Sequence, residues 1–276
     1  MQHPNSTRFE FGANWQRFLG VLNDARIEAA RAAMVKMLQC EDLRDKSFLD
    51  IGSGSGLSSL VARRLGARVH SFDYDPRSVA CTGELKWRYF PDDPNWIVER
   101  GSVLDREYLA RLGTFDIVYS WGVLHHTGAM YEALGNVVPL VTEEGRLFVS
   151  LYNDQRRVSH RWAWVKKTYV TLPKQLRFLL EIPSLVVIWG PNVVRNLLTH
   201  FDPLREWREY HDARGMSPWH DLVDWVGGYP FEVSRPDEIF RFFYARGFSL
   251  ENLTTCGGGK GCNEYVFARR AALRSD

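Results

Sequence analysis

The chain has 276 residues, 45% of them hydrophobic, and 35 Lys and Arg against 33 Asp and Glu leave a formal net charge of +2. That length buries a sizeable core, as one large domain or one domain with an insertion. The near balance of charge excludes wholesale electrostatic capture of nucleic acid or membrane and leaves only local patches, so function must sit in discrete sites.

Cys40, Cys81, Cys256 and Cys262 show no Cys-x-x-Cys spacing, and the opening MQHPNSTRFEFGANW holds no apolar signal core. Both features indicate a reducing, cytoplasmic setting. The longest apolar stretch, Ile182 to Val194, is interrupted by Pro183, Gly190 and Pro191. It falls short of the roughly 20 residues that a spanning helix needs, so no transmembrane segment is expected.

Taken in chain order, Ile27, Ala30, Met34, Met37 and Leu38 recur at helical spacing, and the first forty residues read as helix. This helical segment, 1–39, precedes the core. Within it Trp15 either touches a bound ligand or staples its helix to the sheet. Short apolar runs then alternate with helical patterns. The runs are Ser47 to Ile51, Arg68 to Asp73, Trp96 to Asp105, Phe115 to Ser120 and Gly145 to Tyr152. Helices are expected between them at Gly56 to Leu65, Pro76 to Tyr89, Glu107 to Leu112 and Met130 to Val141. Such alternation predicts an α/β fold, a doubly wound, mostly parallel sheet.

Near the end, Ser234 to Phe248 reads as a helix with a serine cap, a proline in the first turn and acids behind it. Two strand-like runs follow, FSLENLTTC and NEYVFARR, joined by the glycine-rich GGGKG. As a hairpin they complete a seven-stranded sheet with one antiparallel strand. The core is thus 40–152 plus 231–271, and 153–230 is an insertion leaving from the C-terminal end of the fifth strand, far beyond an ordinary connection.

The first strand runs straight into Asp50-x-Gly52-x-Gly54-x-Gly56. A P-loop would need Gly-x-x-x-x-Gly-Lys, which is absent. The dinucleotide fingerprint fails as well, because its last glycine would have to be Leu57 or Ser59. Glycines there allow positive φ and close approach of a ligand to the backbone, and a ligand with a ribose and an amino-acid part but no pyrophosphate fits. An acid that holds ribose hydroxyls is expected at the end of the next strand, and Asp73 stands there; Asp75, just before Pro76, reads as a helix cap.

With FLDIGSGSGL, VHSFDYDP, RGSVLD and FDIVYSWGVLHHTG in this order, the chain resembles the class I S-adenosylmethionine-dependent methyltransferases. It is similar to the broad bacterial group that includes the ubiquinone and menaquinone enzymes. The resemblance implies S-adenosyl-L-methionine as cofactor. Gly52, Ser53 and Gly54 would turn under its methionine part, Asp50 would arrange that loop and Asp73 would take the ribose. Tyr74 would pack on the adenine, Ser102 and Val103 would meet its amino edge, and Ser120 and Trp121 would contact the methionine end through backbone groups.

A sulfonium methyl is already activated, so the protein needs chiefly to align an acceptor and, for a hydroxyl or acidic carbon, to remove its proton. His125 and His126, just beyond the fourth strand, are candidate bases; each would equally serve to cap or pack the loop. The inserted segment would select the acceptor. Its block from Gln155 to Arg177 carries seven Lys and Arg and no acid, which suggests an anionic substrate, an acidic membrane surface or a merely solubilising face. Phe178 to Leu198 is apolar enough to be core of the cap, the first reading, or else an oligomer contact or an interfacial membrane element. Trp219, His220, Asp221, Trp225 and Tyr229 offer aromatic enclosure with His220 as a third candidate catalytic group, or else a packed connection. A zinc site from His220, Asp221, Cys256 and Cys262 matches no standard spacing, and no metal is expected.

Neither an Asn/Asp-Pro-Pro-aromatic tetrad nor a Pro-Cys nucleophile follows the fourth strand, which argues against a DNA substrate. The expected activity is therefore methyl transfer to a small molecule, a hydroxyl oxygen of an anionic or aromatic metabolite first. A tRNA, a membrane lipid or quinone, and a catalytically idle cofactor-binding module are the alternatives.

Overall fold

The computed structural model describes residues 9, 11–208 and 218–270. A seven-stranded sheet in the order β3-β2-β1-β4-β5-β7-β6 forms its centre. The strands are β1 (Ser47–Ile51), β2 (Arg68–Asp73), β3 (Trp96–Arg100), β4 (Phe115–Trp121), β5 (Val141–Tyr152), β6 (Phe248–Thr254) and β7 (Cys262–Arg269). β1 to β5 pair in parallel; β7 is antiparallel to both β5 and β6. The strand order reverses between β1 and β4, and at such a switch point the carboxyl ends of the strands open a crevice.

Successive strand residues face opposite sides, so each strand supplies two cores. On one face Leu49 and Ile51 of β1 join Met130, Leu134, Ile239 and Phe243. On the other, Phe48 joins Ile27, Met34, Leu38, Leu60, Val61 and Leu85. These faces are covered by α2 (Asp24–Leu38), α3 (Leu57–Arg64) and α4 (Pro76–Tyr89) on one side, and by α5 (Arg106–Leu112), α6 (Met130–Val137) and the late helix Pro236–Tyr244 on the other.

Several boundaries differ from the sequence reading, each for a local reason. The leading helix is two: α1 (Gly12–Leu19) stops at Gly20, and α2 starts afresh where the Asn23 side chain accepts from Arg26 N. β3 ends at Arg100, because Gly101 N already bonds Asp73 O and Leu104 N turns back onto Ser102 Oγ. α6 stops at Val137 because Pro139 lies in the next turn, and β5 begins at Val141. The late helix is capped by Arg235, not Ser234: Glu238 Oε2 accepts from Arg235 N while the Ser234 side chain is buried.

Residues 153–230 contribute α7 (Arg157–Thr171), α8 (Phe178–His200) and α9 (Pro218–Gly227); the late helix Pro236–Tyr244 is then α10. Trp162, Tyr169, Val170, Leu222 and Val226 form a core of their own, with Leu185 and Ile188 of α8 packed against it. Pro183 and Pro191 do not break α8, which runs for 23 residues and is long and apolar enough to cross a membrane. The stretch serves as core of the cap on one side only: Leu180, Leu185 and Ile188 pack on that core and Trp189 is buried, but only 11% of its most apolar window is buried.

Candidate active site

The glycine loop ends β1 with Gly52, Gly54 and Gly56 at φ of +75°, +56° and +83°, values that L side chains strain to adopt. Close approach is real as well. A Cβ on Gly52 would stand 2.4 Å from Val123 Cγ1, and one on Gly54 would stand 3.1 Å from the Trp15 indole. The loop after β4 and helix α1 therefore both rest on the glycine loop.

Its amides are already committed. Gly52 N and Ser53 N donate to Phe72 O, Gly54 N to Asp73 Oδ2 and Gly56 N to Ser53 O. Four N–H groups turned inward make no phosphate nest, which agrees with the missing pyrophosphate fingerprints. A loop without such a nest suits a cofactor that carries no phosphate, such as S-adenosylmethionine.

Two acids brace this loop. Asp50 is buried at the end of β1, where Ser59 Oγ donates to it at 2.5 Å; burial pushes its pKa up to about 7. Asp73, at the end of β2, accepts from Gly54 N at 3.0 Å and Asp75 N at 2.9 Å, and burial raises its pKa to about 6. Each carboxylate oxygen keeps a lone pair beyond the bond it makes, so Asp73 can still accept from two ribose hydroxyls. Asp75 caps α4 through Arg77 N, as its position before Pro76 indicates, and its other oxygen accepts from Gly12 N, fixing α1 in place.

The remaining cofactor candidates lie around the same crevice. The Tyr74 ring is exposed, with the Arg100 guanidinium 5.7 Å from its centroid. Ser102 Oγ accepts from Leu104 N, and Val103 O accepts from Asn136 Nδ2. Ser120 is fully buried and donates to Ile51 O, tying β4 to the start of the glycine loop. Trp121 is half exposed, with Nε1 on Glu264. Asp50, Asp73 and the glycines thus fit the cofactor, and when bound it supplies an electrophilic methyl group that needs no further activation.

Beyond β4 the two histidines differ in what they can do. Tyr152 N donates to His125 Nδ1 at 3.3 Å, so His125 carries its proton on Nε2 and is a donor there. His126 has the opposite tautomer: Nδ1 lies 2.6 Å from Pro230 O, which can only accept, so Nε2 holds the lone pair. Burial lowers the pKa of His125 well below the usual range and that of His126 to about 3, so both rings are neutral at physiological pH.

Around them stands an aromatic wall that no spacing rule foretells. Phe11 lies 5.0 Å from His126 and Tyr152 3.9 Å from His125, ring centre to ring centre, and Trp225 and Phe231 pack on Tyr152. Lys166, read from sequence as part of an anion-facing block, is instead fully buried, donating to Trp225 O with its ammonium over the Trp225 and Phe231 rings. Lys260, from the β6–β7 hairpin, sits 5.3 Å from the Trp162 ring, and burial lowers its pKa. His220 lies on α9, but its side chain is outside the described residues.

A family model described as a methyltransferase domain matches residues 23–219, more than half of the chain. A tRNA U34 carboxymethyltransferase of Ectopseudomonas mendocina (strain ymp) is 28% identical over 149 residues, which make up 49% of this chain and 45% of that protein. The chain thus spans less than half the length of this curated relative. Among solved structures, the magnesium protoporphyrin IX methyltransferase of Synechocystis PCC 6803 with bound S-adenosylhomocysteine aligns over 93% of this chain and 94% of its own, at TM-score 0.54 and 14% identity. PKMT2 of Rickettsia typhi, also with that product bound, aligns over 83% of this chain and 50% of its own, at TM-score 0.55 and 12% identity. The sheet order, the phosphate-free glycine loop braced by Asp50 and Asp73, and the family match converge: this chain belongs to the methyltransferase-domain family and is an S-adenosylmethionine-dependent methyltransferase.

Proposed function

We propose that the enzyme methylates a hydroxyl oxygen of a small acceptor with an aromatic and an anionic part, held between the loop after β4 and the segment 153–230. The observation that carries this reading is the Nε2 lone pair of His126, fixed by the Pro230 carbonyl within a wall of Phe11, Tyr152 and Trp225. Asp73 and the glycine loop hold the cofactor, and Asp50 holds the loop. The rings exclude water and orient a flat acceptor, Lys260 offers a charge to its anion, and His126 Nε2 accepts the hydroxyl's hydrogen bond; burial makes this ring too weak a base to take the proton in advance, so the proton passes to Nε2 only once the oxygen has gained the methyl group and become far more acidic. His125 fixes the end of β5 by accepting from Tyr152 N through Nδ1 and keeps its proton on Nε2. The four free thiols fit a reducing, cytosolic setting for this reaction.

The test is product formation from S-adenosylmethionine with a panel of phenolic acids and their amine, thiol and hydroxyl-blocked analogues. Turnover confined to free hydroxyls, with a His126→Asn loss of about 100-fold in kcat and unchanged cofactor affinity, is the expected result. Turnover of amines alone would overturn it. A second reading, methylation on a tRNA, is favoured by the likeness to a tRNA-modifying enzyme over 149 residues, and unfractionated tRNA in the same assay decides it.

A further inference from the structure

α8 turns much of its apolar surface toward water. Its buried positions are Ser184, Trp189 and Asn196, whereas Phe178, Ile182, Val186, Val187, Val194 and Leu198 face outward, Val186 at 63% and Leu198 at 74% exposure. With the exposed Pro191 filling the gap between Val187 and Val194, these residues form one stripe about 30 Å long from Phe178 to Leu198. From Phe178 to Val194 the one charged residue is Glu181, and it is turned away, accepting from Tyr169 Oη at 2.6 Å.

A stripe this apolar and this long has little reason to face solvent.

The charges next to it indicate what does face it. From Gln155 to Leu180 there are seven Lys and Arg and no acid. Lys166 is buried and Arg177 lies on the Tyr169 ring, but Arg156, Arg157, Arg161, Lys167 and Lys174 are exposed, with the exposed Trp164 among them. The chain therefore offers an uninterrupted apolar stripe adjoined by cations and an aromatic, the pairing that an anionic lipid surface satisfies. A second copy of this chain would bring the same positive charge against itself, and an RNA backbone has no apolar surface for Val186, Val187 and Leu198.

We propose that α8 lies in the plane of an anionic bilayer, its outer stripe among the acyl chains and the basic residues of α7 at the headgroups. It does not span, because Leu185 and Ile188 pack on the core formed with α7 and α9, and only one side is free for lipid. The inference stands apart from the acceptor's identity.

The test is flotation of the full chain with vesicles of phosphatidylcholine alone and with about a third phosphatidylglycerol. Melting temperature and S-adenosylhomocysteine affinity are followed alongside as controls of folding. Binding is expected with the anionic vesicles, falling about fivefold for each of Lys167→Gln and Lys174→Gln and falling further with salt. Val186→Gln with Val187→Gln should abolish flotation while both controls stay at parent values. Flotation unchanged in that double variant would overturn the proposal. So would a failure of the parent to float while sedimentation velocity shows a dimer that the double variant splits, or while tRNA binds through Lys167 and Lys174.

Discussion

Replacing Asp73 by Asn separates the part it plays in binding from any part in stability. Its two oxygens accept from Gly54 N and Asp75 N at 3.0 and 2.9 Å, so an amide in this place must turn its NH2 toward one of those donors. The acceptor that would hold a ribose hydroxyl is weakened at the same time. Losing one charge-assisted hydrogen bond costs about 2 kcal/mol, equivalent to roughly a 30-fold rise in the Kd for S-adenosylhomocysteine by titration calorimetry. Stability should move little near pH 7, because burial already disfavours the Asp73 charge and a neutral amide relieves that cost as it loses the bond. Asp116→Asn is the control. Asp116 lies at the opposite end of the sheet, accepting from Ser47 N at 2.8 Å and Ser47 Oγ at 2.7 Å; burial raises its pKa, but these bonds and Lys46 outweigh that and leave it lowered. Asp116→Asn should therefore lower the melting temperature and leave affinity alone. An Asp73→Asn affinity within threefold of the parent would refute the assignment of Asp73 to the ribose.

Asp50 carries a pH signature of its own. Its folded pKa of about 7 lies above the ordinary 3.8, so between those values the native state binds more protons than the unfolded chain. The stability it confers is full below pH 4 and lost as pH rises through 7, so Asp50→Asn should gain on the parent in melting temperature from pH 5 to pH 8; a gap that stays flat would show that Asp50 is not held in this way. Gly52→Ala meets both a φ of +75° and Val123 Cγ1 at 2.4 Å. It should lose stability by at least 1–2 kcal/mol, of which Val123→Ala restores a part in a double-mutant cycle; purely additive effects would deny the contact.

The glycine loop, Asp73 and the Asp75 cap were legible because each is a local bargain between neighbours along the chain: a tight turn after a strand, an acid at the next strand's end, a cap before a proline. Which histidine keeps a lone pair was not legible, since the partners that set the tautomers, Tyr152 N and Pro230 O, come from distant parts of the chain. Lys166 was misread for the same reason. A lysine in a basic run is ordinarily solvated, and only the fold brings Trp225 and Phe231 around it. α8 failed in another way. Proline is a helix breaker by its effect on hydrogen bonding in water, and this helix keeps its course with its apolar side turned outward.

The pairing of β5 with β7 also bears on how the chain assembles during synthesis. Tyr152 is in register with Cys262, and the whole of α7 to α10 is made between them. Until the ribosome delivers β7, β5 is an open edge carrying Leu147, Phe148, Val149 and Leu151, all buried in the finished sheet. At about 5–20 residues per second that edge waits many seconds, exposed to pairing with the wrong partner. Nascent chains halted before Cys262 should therefore be the aggregating species, and the last hairpin is what makes the rest of the sheet safe to release.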